Sequence, residues 1–148
     1  KTQLNPIHLS AQRASMIILF VFALLTITVI IHTFWMLWVM EKLRINKTST
    51  FHFIFRNVIV VATALMAHLA EAGVFAIFYI ISGALENWES ASYFSLVSYA
   101  TLGYGDVTLP AEWRLIGAAE GLVGALMVGW SVAVLVVFLQ QLKFMFKK

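Results

Sequence analysis

Two groups of residues in this 148-residue chain have chemistry that their apolar surroundings do not call for. The first is the run SYATLGYGDVTLP, residues 98–110, where Gly103 and Gly105 flank Tyr104 and precede Asp106. Glycine loses the most backbone freedom on folding, so two glycines spaced by one residue point to a left-handed backbone that other residues resist. The second group is ionisable: His32, His68, Glu71 and Glu120 all fall within otherwise apolar stretches. Ionisable groups at membrane depth are costly and pair with one another or serve a function.

The elements that must position these residues follow from composition. With 61% hydrophobic and 11% charged residues, the chain lies far from soluble averages and reads as a membrane protein. Ala14–Met40, Asn57–Gly83 and about Leu115–Gln140 are each long enough to cross a hydrocarbon core of about 30 Å as a helix. The first is too long for a signal peptide and lacks its small-residue cleavage pattern, so it is read as a retained span. The absence of cysteine excludes a disulfide framework and thiolate metal sites.

Basic residues set the expected orientation, because cytoplasmic loops are enriched in Lys and Arg. The loop 41–56 carries Lys42, Arg44, Lys47 and Arg56, and the tail 141–148 carries Lys143, Lys147 and Lys148. Both are expected in the cytoplasm, with residues 1–13 outside despite Lys1 and Arg13, as a loop or a short interfacial helix. Glu86, Glu89, Asp106 and Glu112, opposed only by Arg114, suit the outer side. The net charge of +3 is carried beside the spans, so its expected partner is anionic lipid headgroups and not nucleic acid. The sequon Asn46-Lys47-Thr48 falls in the basic loop and is read as chance.

Between the second and third spans, residues 84–111 are too polar to cross, yet Tyr93–Tyr99 is aromatic and apolar. This pattern predicts a short helix that dips in, over 88–100, and a non-helical return. Such backbone is tolerated at membrane depth only where protein surrounds it or it lines an aqueous path.

The return, Thr101-Leu102-Gly103-Tyr104-Gly105-Asp106, resembles the selectivity filter of the potassium-channel superfamily. The resemblance extends over about Ala64–Leu139 and, with Glu112-Trp113-Arg114 after the filter, is strongest to small bacterial two-helix ion channels. It implies an outer helix at 57–83, a pore helix at 88–100, a filter at 101–106 and an inner helix at 113–140, with Ala14–Met40 an additional N-terminal helix. Carbonyls of Thr101, Leu102, Gly103 and Tyr104, with the Thr101 hydroxyl, would replace the hydration shell of K+, and Gly105 would complete the backbone pattern. No cofactor other than K+ ions in the filter is expected. Leu102 and Tyr104 would turn away from the axis, with Tyr93 or Phe94 bracing Tyr104. Asp106 would sit at the outer mouth. One return per chain makes one wall of a pore, so a homotetramer is expected.

The sequence departs from the family at two places. Val97 stands where many potassium channels have a glutamate, so Asp106 is expected either to face water or to find another partner, with Trp88 and Ser98 as candidates, and Ala100 stands where a second threonine is common. Glu120, about 12 Å into the third span, is expected either to hydrogen-bond behind the filter in place of the absent carboxylate or to stay protonated by burial. His68 and Glu71 share a helix face, and His32 and His68 fall at similar depths, about 27 and 24 Å. The three are expected to hold the first helix against the second or to sense protons; as a metal site the trio offers few ligands. Gly121, Gly124 and Gly129 suit close helix packing, with Gly124 or Gly129 a candidate hinge and Phe138 and Leu142 a candidate constriction.

The expected fold is therefore an all-α membrane protein with three spans and a re-entrant helix. Its expected function is passive potassium conduction. No motif of an enzyme is present, and no span has the regular arginines of a voltage sensor. The competing readings are a subunit of a potassium uptake system and a non-conducting sensor or accessory protein that keeps the fold.

Overall fold

A chain segment in hydrocarbon must satisfy its own N–H and C=O groups, and a long apolar run does so as a continuous helix. The computed structural model describes residues 6–42 and 50–146, and four helices account for most of them: α1 (Pro6–Lys42), α2 (Thr50–Ile81), α3 (Trp88–Tyr99) and α4 (Arg114–Phe146). Three are long and apolar enough to cross a membrane, over Gln12–Lys42, Phe51–Ile81 and Arg114–Val137. The protein is an all-helical, multi-pass membrane protein.

The helices are longer than the hydrophobic stretches alone indicate. From Pro6 onward the expected loop or short interfacial helix is continuous with α1, because no Gly or further Pro interrupts the run to Lys42. The expected loop 41–56 is shortened from both sides, since α1 continues through Lys42 and α2 begins at Thr50. In the same way α4 runs past residue 140 into the basic tail, to Phe146. Helix α2 stops at Ile81, and Gly83, at φ +68°, takes the left-handed conformation that closes helix ends.

At 12 residues, about 18 Å, α3 cannot cross. Its start is fixed by Asn87, whose side chain accepts from the Ser90 amide at 2.8 Å. Ala91, Ser95 and Tyr99, one face at four-residue spacing, are buried, and α3 packs against both α2 and α4. Helix α1 packs against the same pair.

Lipid offers little hydrophobic drive for helix association, so close contact between small residues matters more. Ala64, Ala67, Ala72 and Ala76 line the buried face of α2, while Leu65, Leu122 and Phe22 on the spans are well exposed. Aromatic contacts tie α1 to the others: the Phe20 ring lies 5.3 Å from Phe78, which lies 5.5 Å from Trp113 at the head of α4. Trp35 donates its indole N–H to the Thr63 hydroxyl at 3.2 Å, a second α1–α2 link.

Candidate functional site

The segment after α3 begins on the helix's own last carbonyls. The Val97 carbonyl accepts from the amides of Leu102, at 2.9 Å, and Gly103, at 3.3 Å, and the Ser98 carbonyl accepts from Thr101 at 2.9 Å. These bonds hold the start of the return under the C-terminal end of α3, the end at which a helix dipole favours a cation. From there φ is positive at every second residue: +60° at Thr101, +56° at Gly103 and +78° at Gly105. Alternation between right- and left-handed backbone can turn successive carbonyls toward one side, which an ordinary strand cannot do. The two glycines take this conformation freely. Thr101 does not, because a β-branched residue at positive φ is strained by about 1–3 kcal/mol, and such strain collects at functional sites.

The outer end is held by Tyr93, whose hydroxyl donates to Asp106 Oδ2 at 2.6 Å. Asp106 Oδ1 accepts from the Val107 amide at 3.0 Å. The partner of Asp106 is thus Tyr93, and not Trp88 or Ser98: one turn and a half before the end of α3, Tyr93 is on the face that looks along the returning chain. Phe94, beside it, packs edge-on against Tyr79 at 5.3 Å and lies where a Cβ on Gly117 would reach it, at 3.1 Å. Tyr93, Phe94 and Tyr104 line one cleft with Gly117 of α4, yet Tyr104 stays 66% exposed and Leu102 56%.

The Tyr93 hydrogen bond holds the Asp106 carboxyl below its ordinary range, and the same bond raises the Tyr93 hydroxyl. A carboxylate lowered in this way contributes above its ordinary value, and the contribution is lost as pH falls through the lowered one. Tyr93→Phe is therefore expected to move the acid-side loss of any Asp106-dependent property to higher pH. A pH titration of the Asp106 carboxyl by NMR, in both proteins, checks it; identical midpoints would show that the bond is not maintained.

Behind α3, two buried networks join the helices. Glu120 accepts from the Tyr79 hydroxyl at 2.7 Å and from the Ser95 hydroxyl, and Ser95 also faces the Ala72 carbonyl. Glu120 therefore braces the middle of α3 against α2 and α4, while the return itself is held by Val97 and Tyr93. The second network centres on Glu71. His32 Nδ1 lies 2.9 Å from Glu71 Oε1, and the Tyr99 hydroxyl donates to Oε2. His68 Nδ1 lies 3.1 Å from the Tyr99 hydroxyl, and its Nε2 lies 3.0 Å from Ser131 Oγ. The donors are consistent in one direction: Ser131 O–H to His68, His68 N–H to Tyr99, Tyr99 O–H to Glu71, and His32 N–H to Glu71.

All four helices meet in this network, at the last residue of α3. The sequence brings out His32, His68 and Glu71 but not Tyr99 or Ser131, nor Tyr79 and Ser95 around Glu120. The signal for Ser95 and Tyr99 is their four-residue spacing from Ala91 on one helix face; hydroxyls are common enough in membrane helices that Ser131 carries no comparable signal.

The glycines of α4 divide by environment. Gly117, Gly121 and Gly124 lie along α3: a Cβ on Gly121 would sit 3.3 Å from the Ser98 carbonyl oxygen, and one on Gly124 would overlap the Tyr99 backbone. Gly129 has open space around it. The side chains of Phe138 and Leu142 lie outside the described residues.

An outer helix, a short helix with a return of alternating φ, and a glycine-lined helix thus follow in order from α2 to α4. The ion channel family matches this part of the chain, residues 63–141, more than half of its length. The chain belongs to the ion channel family. The matched region is a potassium-channel-like pore domain, and within it the ion channel match takes in most of α2, all of α3, the return and most of α4, while α1 precedes it. Searches of curated proteins and of solved structures found no match.

Proposed function

We propose that the chain assembles as a homotetramer that conducts dehydrated K+ passively, with the carbonyls of Thr101, Leu102, Gly103 and Tyr104 as the coordinating oxygens. The observation that carries this reading is the positive φ at Thr101, Gly103 and Gly105, a pattern suited to a ring of carbonyls. Membership of the ion channel family supports conduction in general. The exposure of Leu102 and Tyr104 supports assembly: two large side chains of the return itself are uncovered, and neighbouring copies around a four-fold axis would cover them.

In this reading α2 is the outer helix, α3 the pore helix and α4 the inner helix. Asp106, with Glu86, Glu89 and Glu112 of the same segment between α2 and α4, concentrates cations at the outer mouth. The basic residues Lys42 and Arg56 then lie on the cytoplasmic side, near anionic headgroups of the cell membrane. Arg56 donates to the Lys42 carbonyl at 2.7 Å, a cation at the C-terminal end of α1.

Flux from liposomes holding purified protein tests the reading. K+ and Rb+ are expected to pass and Na+ to be held back, with the rate following the gradient and needing no energy source. Well-formed oligomers that pass none of the three, across pH and membrane tension, would overturn it.

A further inference from the structure

We infer that His32, Glu71 and His68 form a binding site for a divalent transition-metal ion of the zinc class, set inside the membrane where α1 meets α2 and α3. One donor atom from each residue lies within 4.8 Å of the other two. Two imidazoles and a carboxylate are a ligand set for such an ion, which leaves a fourth position open.

The spacing supports a shared ion as well as hydrogen bonds. Ligands on a tetrahedral zinc with bonds of about 2.0–2.1 Å lie about 3.4 Å apart. His32 Nδ1 lies 2.9 Å from Glu71 Oε1 and His68 Nδ1 3.5 Å from the other carboxylate oxygen, Oε2, while the three donor atoms, one from each residue, span up to 4.8 Å. Coordination then requires the two imidazoles to draw together around one carboxylate oxygen, or the carboxylate to bind through both. His32 and Glu71 are fully buried, and His68 is 16% exposed on the single chain.

The second observation concerns the other ring nitrogens. To bind metal through Nδ1, a neutral histidine must carry its proton on Nε2. His32 Nε2 is buried without a hydrogen-bond partner, so it is free to hold the proton that leaves Nδ1. His68 Nε2 faces Ser131 Oγ at 3.0 Å, and in the metal-bound tautomer its N–H donates to that hydroxyl. A hydrogen bond of this kind fixes ring orientation at metal sites. The Tyr99 hydroxyl is bonded to Glu71 and lies 3.1 Å from His68 Nδ1, beside the cluster.

Titration with Co2+ of full-length protein in nanodiscs, purified without a histidine tag, tests the site. The expected result is the visible absorption of a four-coordinate Co2+ at one ion per chain, displaced by Zn2+. His32→Ala, His68→Ala and Glu71→Gln are each expected to weaken binding by more than about 100-fold, and Ser131→Ala by about 10-fold. His52→Ala, which alters an exposed histidine outside the cluster, is expected to change nothing. Glu71→Gln keeps the shape of the side chain, and metal-free thermal melting of each variant separates lost ligands from lost fold. Absence of the absorption in folded protein would overturn the proposal, as would a signal that survives His32→Ala and His68→Ala or vanishes with His52→Ala.

Discussion

Gly124→Ala is expected to abolish ion flux and to lower the melting temperature of the protein, while Gly129→Ala leaves the melting temperature unchanged. The added methyl at position 124 would overlap the Tyr99 backbone, and backbone at the end of a helix cannot turn aside as a flexible side chain can. Overpacking of this kind costs about 1–3 kcal/mol, and the cost is relieved only by moving the last turn of α3 away from α4. Thr101 follows Tyr99 by two residues, so the return moves with it. At Gly129 the methyl meets nothing within 4 Å. Melting curves and liposome flux on both variants check the pair, and a Gly124→Ala protein with wild-type melting and flux would show that α3 does not press on α4 at this point. On this geometry Gly124 acts as a packing surface, which leaves Gly129 as the freer position for a bend.

The second large effect is expected at Glu120. Glu120→Ala removes the acceptor of the Tyr79 hydroxyl and one of the two acceptors facing Ser95, which keeps the Ala72 carbonyl, in a fully buried site. The Tyr79 hydroxyl left unsatisfied costs about 1–3 kcal/mol, and the lost side-chain volume adds to this. Glu120→Gln keeps an acceptor oxygen and nearly the same volume, so it is expected to lose much less. Thermal melting of the three proteins gives the order wild type, Gln, Ala. Melting of Glu120→Ala close to that of wild type would mean that Ser95 and Tyr79 find other partners and that the carboxylate is not what braces α3.

Much of this fold was legible in the sequence because a membrane simplifies the problem. Backbone groups in lipid have to be satisfied by helices, so three long apolar runs give three spans, and a stretch too polar and too short to span has to dip and return. Helix ends were less legible. Hydropathy stops where Lys42 or Lys143 begins, whereas a helix stops at a breaker such as Gly83, so α1, α2 and α4 all run beyond their apolar cores. Depth counted at 1.5 Å per residue brought His32 and His68 to one level, and their rings lie 5.4 Å apart.

The candidate site divides along similar lines. Gly103 and Gly105 announce positive φ by being glycine, whereas Thr101 shares that conformation with no mark in its residue type. Glu120 and Glu71 stand out as carboxylates in apolar helices. Their partners Tyr79, Ser95, Tyr99 and Ser131 do not, since a hydroxyl in a membrane helix can bond to its own backbone, as Thr26 does to the Phe22 carbonyl at 2.7 Å. Which hydroxyl meets which carboxylate is fixed by how α3 nests between α2 and α4, and that depends on packing among non-local residues.

The central claim is that alternating backbone at residues 101–105 presents carbonyls to K+. The most direct measurement is the reversal potential of purified protein in a planar bilayer under opposed K+ and Na+ gradients, with Gly103→Ala alongside. At φ +56° an alanine is strained even though its Cβ meets nothing, so the substitution acts on the backbone conformation and not on packing. The wild-type reversal potential is expected near the K+ equilibrium value, with selective current lost in Gly103→Ala. A wild-type potential indifferent to the exchange of K+ for Na+, or an unchanged selective current in Gly103→Ala, would contradict the account.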